Sequence, residues 1–353
     1  MTTATILSLI DLQNGFDHYD LTDAEGGCLY VPEGEKAAAR AADLMRSMSN
    51  GFIVLSQDFH PKNHISFMTN HPGVMEWRKD RLRQQGVPEA ELDAAVLNPV
   101  KLPFDDILLK QGVDGRYRAI ACGVGREWRA VDTDKNGYIT GIRDHEISTR
   151  EVLGALRQRL WSPHCKGGSQ SALFSQPIMD ELPPDLVEAL HKDVTSPVLK
   201  SVDARGNTII VVRKGMRSDL DSYGIATEND GVSRTHAPEV FAEIATMLKD
   251  RGVTHVKSYI GGLAKNFCLE LSDNDMHNLF FPLLEVLHID CTPYLLTDVS
   301  YGIPVKVRGG AWPDLDNCEN RMLAKGKQAT TTGAVIRAGL AGRSPAPAVQ
   351  PAP

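Results

Sequence analysis

The run "ATILSLI" (residues 4–10) decides the fold. A strand with one wet face alternates apolar and polar residues. This run is apolar almost throughout, as expected of a strand buried on both faces in a parallel sheet. No cationic start precedes it and Asp11 ends it, so it predicts a first strand and not a secretion signal. Four more runs share its character: "FIVLS" (52–56), "TIIVVR" (208–213), "HVKSYI" (255–260) and "PYLLT" (293–297). Helical patterns lie between several of them. "GEKAAARAADLMRSM" (34–48) carries apolar residues at helical spacing, and "PEVFAEIATMLKDRG" (238–252) starts on Pro238 and stops at Gly252. Strands alternating with helices predict an open, mainly parallel α/β sheet with helices on both faces.

The chain has 353 residues, of which 42% are hydrophobic and 24% charged, with a formal net charge of −7. That is an ordinary globular composition, long enough for a large core. The acidic balance, with no basic run, argues against a nucleic-acid or anionic-membrane partner. No segment has the run of about 18 apolar residues a membrane helix needs. The six cysteines (28, 122, 165, 268, 291 and 318) form no CxxC pair and read as reduced thiols in a cytoplasmic protein.

Residues 73–160 contain no clear strand–helix–strand unit and are expected to form an inserted subdomain or lid between 1–72 and 161–340. The Pro/Ala-rich end, 341–353, reads as a disordered tail.

In open α/β sheets reactive groups gather beyond the carboxyl ends of the strands. Here those ends deliver Asp11, then Asp58, His60 and His64, then Lys214, then Cys268. Cys268, near a helix start with a lysine close by, is expected to favour thiolate, with Asp11 as a base for its proton. Taken alone, a free cysteine is equally a small buried hydrophobe. Asp58 and His60, with His164 from "WSPHCKGG", offer a set for zinc, iron or manganese that leaves positions open for water or substrate. "DTDKNGYIT" (132–140) matches the start of a calcium loop at Asp132, Asp134 and Asn136. Its twelfth position is Arg143 where a glutamate belongs, and the rival reading is a β-hairpin turning at "DKNG".

Together these stretches resemble the nicotinamidases of the isochorismatase-like cysteine hydrolase superfamily. "IDLQNGF" is similar to the family's first-strand motif and "LSQDFHPKNHISF" to its metal segment. "WSPHCKGG", "VVRKGMRSD", "GGLAKNFC" and "LLTDVSYG" follow in the family's order. The resemblance spans residues 7–302 without 73–160. It implies a triad of Asp11, Lys214 and Cys268, and an oxyanion hole from the backbone N–H groups of Ala264 and Cys268, with a cis Leu263–Ala264 bond. It also implies a metal on Asp58, His60 and His164, and substrate packing by Phe16, Trp161 and Leu263. Three stretches depart from the family's pattern: Lys265 stands where a small residue is usual, "LELSDND" replaces a small-residue run, and "GGSQSA" follows the His164 segment.

The implied activity is hydrolysis of nicotinamide to nicotinate and ammonia, a step of pyridine nucleotide biosynthesis. A sister hydrolase of another small amide or ureide is the nearest rival. A non-catalytic calcium-responsive protein is the reading from another class. The expected partner is a small-molecule amide, and a homo-oligomer is left open.

Overall fold

The computed structural model describes residues 2–96, 156, 158–305, 310 and 312–339, and, as backbone only, 109–111, 117–120, 127–133 and 139–142. The five expected strands are all present: β1 (Thr3–Ile10), β2 (Phe52–Asp58), β8 (Thr208–Lys214), β9 (His255–Gly262) and β10 (Asp290–Ser300). They form one seven-stranded sheet with β7 (Val198–Val202) and β11 (Gln328–Thr330), in the order β11-β10-β9-β1-β2-β8-β7. Every pairing is parallel except β7 with β8. The central strands carry the burial their composition predicts: every residue of β2 is buried, and so are the last six of β1 and of β8.

The edge strands escaped the sequence reading for a physical reason. β7 is half exposed, with Lys200 and Val202 in water, and β11 is three residues long. Neither has the continuous apolar run of a central strand.

The helix Gly34–Ser47 buries Ala37, Ala38, Ala41, Ala42, Leu44 and Met45, a small-residue stripe that packs close to the sheet. The helix Ala237–Asp250 has Pro238 in its first turn and buries Val240, Phe241, Ile244, Ala245 and Leu248. Gly252, just beyond it, takes φ +64°, the left-handed conformation of a helix-ending glycine.

Within 73–160 the described residues include helices and strands that the sequence reading did not pick out. The helix Pro72–Gln84 and the short helix Leu92–Ala95 pack Leu82, Leu92, Ala95 and Val96 into a small core of their own. Strands β3 (Leu109–Gln111), β4 (Tyr117–Ile120), β5 (Glu127–Thr133) and β6 (Ile139–Ile142) pair antiparallel in chain order. The side chains of Asp132, Asp134 and Asn136, on which the calcium reading rests, lie outside the described residues. β5 and β6, on either side of residues 134–138, pair antiparallel, with Asp132 opposite Gly141. The tail 341–353 also lies outside the described residues. Among the described residues no helix is long and apolar enough to cross a membrane, and Cys28, Cys165, Cys268, Cys291 and Cys318 are free thiols.

Candidate active site

The strand order reverses at β1: the chain builds outward to β2 and β8 on one side and to β9, β10 and β11 on the other. The crevice beyond the carboxyl ends at such a switch point is where open α/β sheets place ligands. Asp58 and Lys214 are the last residues of β2 and β8 and lie side by side in register. Asp11 follows β1 at φ +49°. Gly262, the last residue of β9, pairs with Ile10 and has φ +143°, and a Cβ there would stand 2.1 Å from the Ile10 carbonyl oxygen. Only glycine fits. The Leu263–Ala264 bond is cis, as the resemblance implied. The helix that follows opens with a π-turn, Lys265–Leu269, which carries Cys268.

Lys214 ties the strand ends together. Its Nζ lies 2.9 Å from Asp11 Oδ2, donates to Asp58 Oδ1 at 2.7 Å and to the Ser222 carbonyl at 2.9 Å, and stands 3.6 Å from Cys268 Sγ. Ser56 Oγ donates to Asp11 Oδ1 at 2.6 Å. All four charged or nucleophilic groups are buried. Burial pulls the Lys214 pKa down, but Asp11 and Asp58 outweigh it and hold it well above the lysine range. Asp58 moves the other way: burial opposes its charge, and Lys214 overrides that and holds it well below the usual carboxylate range. Asp11 is pushed up by burial.

The thiol departs from the sequence expectation. Burial, reinforced by the two carboxylates, pushes Cys268 well above the ordinary thiol range despite Lys214 and the helix start. Desolvating an anion costs more here than one lysine, already shared between two carboxylates, returns. Burial thus favours the protonated thiol, and a carboxylate oxygen of Asp11, itself pushed up by burial, lies within 4.8 Å of Cys268 Sγ.

The metal-type ligands also converge. The ligating atoms of Asp58, His60 and His164 lie within 4.8 Å of one another. Segment 161–167 reaches this place by zipping along 60–68: Trp161 N donates to Ser66, Met68 N to Trp161, His60 N to Cys165 and Gly167 N to His60. His60 Nδ1 donates to the Gly215 carbonyl at 3.0 Å and His164 Nδ1 to the Ser162 carbonyl at 2.7 Å. Both Nε2 lone pairs are thereby left facing Asp58 Oδ2, at 3.2 and 3.7 Å. Two imidazole lone pairs and a carboxylate converging in a buried place fit a cation, with the backbone carbonyls fixing each ring. His64 stacks on His60 with ring centroids 4.1 Å apart. Both its nitrogens are engaged, with Ser66 Oγ and the Leu220 carbonyl. Gln13 holds Asp58 itself: its amide accepts from Asp58 N at 2.8 Å and donates to Asp58 O at 2.9 Å. It thus extends the β1–β2 ladder after β1 has ended.

Beside these groups lies a cavity whose walls include Phe16, Trp161, His164, Ala264 and Cys268. Leu263 is wholly buried and is not among the lining residues. Five lining residues escaped the sequence reading: Leu29, Asp221, Tyr223, Phe267 and Ile303. Asp221 is the informative one. It is 2% exposed, and its Oδ2 has no hydrogen-bond partner among the described residues. A carboxylate oxygen of Asp221 also lies within 4.8 Å of nitrogens of His60 and His64. Its only sequence signal was a polar loop, "DLDSYG" (219–224), seven residues after a strand-end lysine.

No family model matches the chain. It is 38% identical to the nicotinamidase of Escherichia coli over 156 residues, which cover 42% of this chain and 68% of that protein. It is 24% identical to the nicotinamidase of Acinetobacter baylyi over 268 residues, 74% of this chain and 70% of that protein. Among solved structures, an Acinetobacter baumanii nicotinamidase/pyrazinamidase aligns over 94% of this chain and 97% of its own, at 20% identity and a TM-score of 0.48.

Proposed function

The chain belongs to the nicotinamidase family, and from that premise we propose that it hydrolyses nicotinamide to nicotinate and ammonia through a thioester on Cys268. The observation that carries the residue roles is the position of Lys214 Nζ. It touches Asp11, Asp58 and Cys268 at once, and Asp58 and Cys268 line a cavity with aromatic walls.

Asp11 takes the Cys268 proton as sulfur attacks the carboxamide carbon, and the oxygen that gains charge is met by the backbone N–H groups of Ala264 and Cys268. The C–N bond breaks and Asp11 returns the proton to the departing nitrogen, which leaves as ammonia. Water then attacks the thioester with Asp11 as its base. The C–S bond breaks, nicotinate leaves, and the proton returns to Cys268. Lys214 stays charged throughout and holds Asp11 against the sulfur. Phe16 and Trp161 flank the ring. Asp58, His60 and His164 would hold a divalent transition metal, whose Lewis acidity would anchor the pyridine nitrogen. Their nitrogen and oxygen donors suit zinc, and also iron or manganese.

The test of the reading is ammonia release over a panel of small aromatic and aliphatic amides and ureides. Nicotinamide is expected to give the highest kcat/KM, and a ureide preferred over every aromatic amide would overturn the substrate.

Dialysis against a chelator is expected to abolish turnover, and re-addition of zinc, iron or manganese to restore it. Elemental analysis is expected to find about one metal per chain, lost in Asp58→Ala. Full activity in metal-free protein would contradict this role.

The pH dependence has a definite sign. Asp11 acts as a base only when ionised, and burial raises its pKa. The acid limb of the kcat/KM profile is therefore expected above the range of an ordinary aspartate, with activity lost as pH falls through it. A profile flat down to pH values where free aspartate protonates would contradict the assignment.

A further inference from the structure

Asn266 and two residues of the departing stretch after Cys268, Glu270 and Asp273, share one structural task. Asn266, Glu270 and Asp273 are spaced by four and then three residues, the spacing of one helix face, and are 0%, 4% and 0% exposed. All three engage the chain segment 303–327. Asn266 Nδ2 donates to the carbonyls of Ile303 at 3.0 Å and Pro313 at 2.7 Å, and its Oδ1 accepts from Ile303 N at 3.1 Å. Glu270 forms a two-pronged pair with Arg321, at 2.6 and 2.8 Å. Asp273 meets Lys325 at 3.0 Å and Lys327 at 2.8 Å. Lys265 joins the same interface through Glu319 at 3.1 Å, while its backbone N–H donates to the Tyr301 carbonyl at 2.6 Å. Such buried polar partners are costly to separate, so Ile303, Pro313, Arg321, Lys325 and Lys327 are held in place.

The consequence falls on Ile303, which lines the cavity beside Phe267 and Cys268. Its backbone N–H and C=O are both held by one side chain, that of Asn266, two residues from the nucleophile. A Cβ on the preceding Gly302 would stand 2.6 Å from Asn266 Oδ1, so the clamp also needs glycine there. We propose that Ile303 is a size-determining wall of the substrate cavity, held rigid by Asn266, and that it confines the substrate to a single unsubstituted ring. Asn266 is a positioning residue that acts through Ile303. The inference rests on the nicotinamidase reading for the identity of the ring.

The test compares nicotinamide with quinoline-3-carboxamide, which adds a fused ring. Binding of each is measured by calorimetry on metal-replete Cys268→Ala protein, and again with Ile303→Ala or Asn266→Ala added. Ile303→Ala is expected to shift the affinity ratio toward the bicyclic amide by about tenfold or more, the scale on which a pocket discriminates small changes in volume. Asn266→Ala is expected to shift it in the same direction, and Asn266→Gln not to restore it, because the longer amide cannot meet the 303 peptide in the same place. An unchanged ratio in Ile303→Ala, including no measurable binding of either amide, overturns the proposal. Melting temperatures report whether Asn266→Ala folds, and the Ile303→Ala comparison decides the proposal if it does not. Failure of the nicotinamidase reading shows elsewhere, as no ammonia from nicotinamide with the wild-type protein.

Discussion

Replacing Cys268 by alanine is expected to lower kcat for ammonia release by at least about 10³-fold while leaving nicotinamide binding largely intact. The sulfur supplies the bond through which the amide is cleaved, and nothing nearby can substitute for it. Cys165 is buried, its Sγ faces the Ser171 carbonyl at 3.6 Å, and its thiol is pushed well up by burial. Serine at 268 is expected to be nearly as inactive as alanine, because Asp11 would have to deprotonate a far weaker acid. Effects within the triad are expected to be non-additive: Asp11→Asn added to Cys268→Ala costs little more, since the base has no proton left to take. Steady-state assays of the two single variants and the double variant check this. A Cys268→Ala protein within tenfold of wild type would remove the thioester from the mechanism.

Lys214→Met carries the second large effect, this one on stability. It leaves Asp11 and Asp58 buried around a site whose one cation is gone. Removing one partner of a buried charge network typically costs about 3–5 kcal/mol. In chelator-treated wild type, Asp58 has a depressed pKa, so its contribution to stability is present above its unfolded pKa and lost as pH falls through the folded one. In Lys214→Met the sign reverses. Burial and the neighbouring carboxylate then raise the folded pKa of Asp58, and the variant is expected to gain stability through Asp58 as pH falls from 8 to 5, a window in which the wild-type Asp58 contribution stays constant. Denaturant unfolding of both proteins at about pH 5 and pH 8 reads the difference. A loss under about 1 kcal/mol with the same pH trend as wild type would contradict the account.

Legibility in the sequence followed physical cause. The central strands were readable because burial on both faces demands continuous apolar runs, and the meeting of Asp11, Lys214 and Cys268 because the fold brings strand ends together whatever lies between. His164 was harder. It lies 104 residues after His60 (164 − 60), and only the backbone zipper of 161–167 along 60–68 unites them. Asp221 and Ile303 lie in irregular segments, where no periodicity marks which side chain meets the cavity. The thiol's protonation was misjudged because a nearby lysine and a helix start are visible in sequence, whereas desolvation is a property of the packed site. Lys265, Glu270 and Asp273 stand in stretches that depart from the family pattern, and they pair with Glu319, Arg321, Lys325 and Lys327, up to 54 positions away.

The most direct test of the central claim measures ammonia and nicotinate together from nicotinamide with metal-replete wild-type protein. The account predicts equal molar amounts of both products in multiple turnovers. No ammonia above the protein-free rate, or ammonia released without matching nicotinate, would contradict it.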